Sequence, residues 1–202
     1  MSELSVGTLS GLAANSYVVD IASGSSLDLS NATDLPASAL PAGSIIAVES
    51  VLKTDTFSAS VTAGSSVAVT DLSITHALAN SANKLILMAY FGQAGNGNNF
   101  GNTGIAIADD GTLIGIGDAD GSRTRVGAGG RLTASGDPNV VAMPHIHLLY
   151  SPGDTASHTY TLNAINIEAT TQTVYINRIE STADDVPFPR GVSAITLMEV
   201  AG

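Results

Sequence analysis

Residues Thr103–Gly117 read TGIAIADDGTLIGIG. Two apolar runs rich in Ile flank Asp109-Asp110-Gly111. An Asp-Gly pair in that position signals a β-hairpin, because its backbone tolerates the positive φ angles of a tight turn. Working outward, the same pattern recurs on both sides. Ile45–Leu52, Val67–Ile74, Lys84–Phe91, Val140–Tyr150, His158–Ile167, Thr173–Ile179 and Val192–Val200 are rich in Ile, Val and Leu. Turn clusters separate them: AGSS at Ala63–Ser66, SPGD at Ser151–Asp154 and TTQ at Thr170–Gln172. No window sustains a period of 3.6 with caps, and His76–Lys84 has room for a helical turn at most. Many short strands with Gly-rich turns and no helices predict an all-β antiparallel sandwich or barrel.

The first 43 residues differ. They hold no Lys or Arg, and NATDLPASALPAG (Asn31–Gly43) carries Pro36 and Pro41. Each proline disfavours helix at the leucine before it, so this stretch reads as an extended linker. Ser16–Ile21 and Ser26–Leu29 are long enough for short strands. The expected organisation is an attachment segment and linker at 1–43 and a β domain at 44–202. Two long loops stand out, Gly92–Asn102 and Asp118–Pro138. Loops of that length in compact domains are commonly functional or packed on partners.

Composition narrows the function. Charged residues make up 12% of the chain, about half the ~25% usual for soluble domains. Seven Lys+Arg against 18 Asp+Glu give a net charge of −11. That charge repels nucleic acid and anionic membranes, and neither is expected as a partner. The absence of Cys excludes disulfides, Cys-ligated zinc and thiol catalysis. No apolar run reaches the ~18 residues of a spanning helix. The start lacks the basic and apolar regions of a signal peptide. The scarcity of charge suggests a surface partly covered by other protein.

His145-Ile146-His147 is the best metal candidate, because positions i and i+2 of a strand face one side. Two imidazoles do not complete a zinc site. A third ligand would have to come from His158 or another chain, and the alternative is a pair of exposed or hydrogen-bonded histidines. Asp118-Ala-Asp-Gly-Ser-Arg fails the EF-hand pattern. Asp109, Asp110, Asp118 and Asp120 are oxygen donors of the kind Ca²⁺ takes, but turn chemistry, in which Asp and Gly serve the backbone, is the preferred reading. Arg123, Arg125 and Arg131 suit acidic groups of a neighbouring subunit, an anionic ligand or plain solvation. Gly95–Phe100 is no dinucleotide fingerprint, and Gly7–Gly11 misplaces the serine of a nucleophile elbow. Asp184-Asp185 reads as solvated, and Asn31-Ala-Thr33 is a sequon. No catalytic, cofactor-binding or metal set is assigned, and no enzyme activity is expected.

Three segments in order carry a resemblance: LPAGSIIAV (Leu40–Val48), SANKLILMAYFG (Ser81–Gly92) after DLSIT (Asp71–Thr75), and TVYINRIESTADDVPFPRGVSAITLMEVAG (Thr173–Gly202). VYINR, a polar loop with Arg-Gly, and a closing ITLMEV together resemble small structural proteins and fibre tips of tailed bacteriophages. The resemblance covers Leu40 to Gly202 and implies a trimeric jelly roll of the complement/tumour-necrosis-factor type. Ile195, Leu197 and Met198 are then expected in the core. It implies a virion location and a non-enzymatic role as a head decoration protein or short head fibre. The alternative is a tail-associated receptor-binding tip touching host surface polymer. The expected partners are two further copies and other virion proteins, reached through the N-terminal segment.

Overall fold

The structure is a computed structural model, and it describes residues 40–97, 102–129, 141–181, 183–186 and 189–202. The expected strands at Ser16–Ile21 and Ser26–Leu29, most of the linker, the sequon, Gly7–Gly11 and Arg131 lie outside the described residues. Among the described residues there is no helix. Eleven strands follow one another: β1 (Ile45–Lys53), β2 (Phe57–Val61), β3 (Ser66–Ala77), β4 (Lys84–Tyr90), β5 (Ala94–Asn96), β6 (Thr103–Asp109), β7 (Thr112–Ile114), β8 (His145–Tyr150), β9 (Ser157–Asn166), β10 (Gln172–Ile176) and β11 (Ser193–Val200).

They form a front sheet ordered β1-β11-β4-β8, a back sheet ordered β3-β9-β6-β7 and a small sheet ordered β2-β10-β5. Every pairing is antiparallel. Leaving the small sheet aside, the chain alternates between front and back and stays in one sheet only at the β6–β7 hairpin. That alternation makes the two Greek keys of a jelly-roll sandwich. The hairpin turns through Asp110 at φ 45° and Gly111 at φ 85°, the positive pair that its sequence predicts.

The core lies between front and back sheets. Paired residues share a face, so each cross-strand row is wholly inward or wholly outward. In the front sheet Val51, Ile195, Ala89 and Ile146 form one inward row, and Glu49, Leu197, Leu87 and Leu148 the next. In the back sheet Ile105 pairs with Ala164 and Ile107 with Leu162, and Ile74, Tyr160 and Asp109 share a row. Leu85, Leu87, Ile105, Ile107, Leu162, Ile195 and Leu197 are fully buried, each contributing about 1.5–3 kcal/mol relative to exposure. The last strand, β11, is locked between β1 and β4.

Four expectations need correction. Met198 is not in the core: Ile195 and Leu197 point inward, so the period of two sends Met198 outward, half-buried. Strand β8 starts at His145, so residues 141–144 are not part of it, Ala142 making only an isolated bridge to Ala94, and Val140 lies outside the described residues. The Gly92–Asn102 loop contains β5, which is buried and paired with β10. Small residues allow this. Gly92 lies against the Val192 backbone, where a Cβ would collide. Strand β10 ends early at Asn177, whose φ is 59°. The Asn177 side chain donates to the Lys53 and Asp55 carbonyls at 2.9 Å and accepts from Ser193 Oγ at 2.6 Å. That gives the Asn of VYINR a physical job at the junction of small and front sheets.

Candidate functional site

Two features of the described residues go beyond a self-contained sandwich. The first is the outer face of the front sheet. Its outward rows run Val48–Met198–Ile86–Leu149, Ser50–Thr196–Met88–His147 and Leu52–Ala194–Tyr90–His145. Val48, Leu52 and Leu149 are 59%, 60% and 62% exposed. No Asp or Glu stands in these rows. Met88, Tyr90, His145, His147, Ala194 and Thr196 line a shallow hollow of about 320 Å³. Strand alternation alone does not require this, since an antiparallel sheet facing water normally places polar residues outward.

His145 and His147 do share this face, as the i, i+2 spacing predicts, and both are exposed. His158 does not join them. It stands on β9 and is hydrogen-bonded to Asp109 and Asp154. Asp118, Asp120, Arg123 and Arg125 are exposed on the loop after β7. Arg123 pairs with Asp120 at 3.0 Å, both well solvated, and Arg125 donates to the Gly117 carbonyl. Asp184 and Asp185 are exposed, as expected.

The second feature lies at one rim of the sandwich, where the core row of the back sheet ends in the paired histidines His76 and His158. His76 bridges the sheets, with Nδ1 at 2.7 Å from Glu49 and Nε2 at 2.9 Å from Glu199. Glu199 also accepts from Asn83 at 2.6 Å and from the Ala79 amide at 2.8 Å. Burial pushes the Glu199 carboxyl up, but the bonds from Asn83, His76 and Ala79 together hold it below its usual value. His158 Nδ1 lies 2.7 Å from Asp109 Oδ1 and 3.3 Å from Asp110 Oδ2, and Nε2 lies 3.1 Å from Asp154. The bonds to Asp154 and Asp109 hold the imidazole above its ordinary pKa. Tyr150 donates to the second oxygen of Asp109 at 2.7 Å. Burial, then that bond, pushes its phenol up to about 12. Sequence reasoning names Asp109, Asp110 and His158 separately and does not join them, because 49 residues separate Asp109 from His158 and only the β6–β9 pairing closes that gap.

No known protein-family profile matches the chain, and no curated protein matches it.

Proposed function

We propose that the chain is a non-enzymatic structural protein of a tailed-bacteriophage virion, a head decoration protein or short head fibre, assembled as a homotrimer. The observation that carries this reading is the outer face of the front sheet. Contiguous exposed apolar surface marks a site of association. A chain of net charge −11 repels its own copies, and a face without carboxylates is where copies approach at least electrostatic cost. The jelly-roll alternation of the strands and the ordered motifs from Leu40 to Gly202 support the same reading. In it Met1–Gly43 attaches to the particle and Ser44–Gly202 projects outward. The acidic residues Glu3, Asp20, Asp28 and Asp34 suit a basic socket.

Light scattering on the purified chain tests the assembly: the expected mass is three times the 20.3 kDa of one chain. A stable monomer at micromolar concentration rejects it. Deletion of Met1–Gly43 is expected to leave a trimer that no longer joins particles. Decoration at wild-type copy number by the deleted form places the anchor elsewhere. Immunolabelling of virions separates head attachment from the alternative, a receptor-binding tip on the tail.

A further inference from the structure

The His158 rim has the construction of a metal centre. Asp109, Asp110 and His158 each present a donor atom, and the three lie within 4.8 Å of one another. What distinguishes them from a chance cluster is how their other atoms are held. Asp109 Oδ2 is held by the Tyr150 hydroxyl at 2.7 Å, leaving Oδ1 aimed at His158 Nδ1. Asp110 Oδ1 is held by the Thr159 amide at 2.9 Å, leaving Oδ2 aimed at the same nitrogen. His158 Nε2 faces Asp154, whose carboxylate is fixed by the Ala156 amide at 2.8 Å. A carboxylate behind the far nitrogen of a histidine is the outer-shell arrangement that sets tautomer and ring orientation at metal sites.

The charges point the same way. Three carboxylates surround one imidazole. A single proton on Nδ1 bonds well to Asp109 at 2.7 Å and poorly to Asp110 at 3.3 Å. A dication between the three donors would be bound by all of them. The donors line a cleft of about 280 Å³ with Thr112, Ile114 and Tyr150, which leaves room for an ion and its remaining water ligands. One imidazole with two carboxylates is a donor set suited to zinc rather than to calcium or magnesium, which take oxygen.

We propose that Asp109 Oδ1, Asp110 Oδ2 and His158 Nδ1 bind one divalent transition-metal ion of the zinc class, with Tyr150 and Asp154 orienting the ligands. The site ties the β6–β7 turn to β9, and it is separate from the exposed pair His145 and His147. It does not depend on the virion reading.

The test is calorimetric titration of the chelator-stripped full chain with Zn²⁺ near neutral pH, with Ca²⁺ and Mg²⁺ run alongside. One Zn²⁺ per chain is expected, with no comparable binding of the other two. Asp110→Asn is expected to abolish the binding while keeping the turn, since Asn accepts positive φ. Tyr150→Phe is expected to weaken it by about 10–100-fold. His145→Ala with His147→Ala should leave it unchanged. Three results overturn the proposal: no Zn²⁺ uptake by the wild-type chain, undiminished uptake by both Asp110→Asn and His158→Gln, or uptake lost in the His145/His147 double variant. Equal affinity for Ca²⁺ also overturns it, because the nitrogen donor would then have no role.

Discussion

The outer faces of the front and back sheets share one backbone pattern and carry opposite side chains. The front presents Val48, Leu52, Ile86, Met88, Tyr90, Leu149 and Met198. The back presents exposed Ser66, Ala68, Ser73 and Thr75 on β3, with half-buried Thr159 and Thr161 opposite on β9; Asn163, Ile165, Ala106 and Ala108 on the same face are buried. Thr75 and Thr159 are joined through their hydroxyls at 3.1 Å. Both faces are almost without charge, so charge does not separate them; size and polarity do. Small hydroxyl side chains keep the β preference while satisfying water. Large aliphatic ones gain nothing from water, which is why the exposed apolar rows of the front face, rather than the exposed hydroxyl row of β3 on the back face, are the proposed contact between copies.

The largest expected effect breaks that contrast directly. Val48→Lys with Leu149→Lys should reduce the assembly to monomers by light scattering, whereas Thr75→Lys with Thr161→Lys should leave the mass unchanged. If both pairs behave alike, the two faces are equivalent and the assignment fails. Next come the two sides of the front sheet. Leu197→Ala removes a fully buried side chain and should cost about 2–5 kcal/mol in denaturant unfolding. Leu149→Ala, measured under conditions where the chain is monomeric, should stay within about 0.5 kcal/mol.

The third effect concerns the rim between the sheets. Glu199 has a folded-state pKa below its ordinary 4.5. Its contribution is therefore fully present above that value and is lost as pH falls through the lowered one. Stability followed from pH 7 to pH 3 should show this loss. Glu199→Gln should be less stable at pH 7 and show a shallower acid slope; an unchanged slope would remove Glu199 from the account. The smallest effect is on the back face. Thr75→Val with Thr159→Val keeps the branched shape and should shift the unfolding free energy by no more than about 0.5 kcal/mol.

Much of the sandwich is legible in short stretches. Within TGIAIADDGTLIGIG the Asp-Gly turn makes the hairpin it specifies, though the second arm ends at Ile114 rather than Gly117, and the runs at 45–52, 84–91 and 192–200 become β1, β4 and β11 to within a residue or two. Strand β2 is missed because five residues with one large side chain give little signal. Strand β5 is missed because Ala-Gly-Asn resembles a loop until β10 pairs with it. Met198 is misplaced because a run of apolar residues conceals which of them face inward.

By itself, then, the sequence determined the class: short β-branched runs, turn pairs and the absence of helical periodicity dictate strands, since these are local backbone preferences. It also determined that His145 and His147 share a face, because the strand period is two. Only the tertiary structure decided which sheet each strand joins, that an apolar face remains outside the core, and that Asp109, Asp110 and His158 meet at one rim. Those are long-range pairings, such as β6 with β9 and β1 with β11, and they are set by burying many side chains at once. No local spacing encodes them.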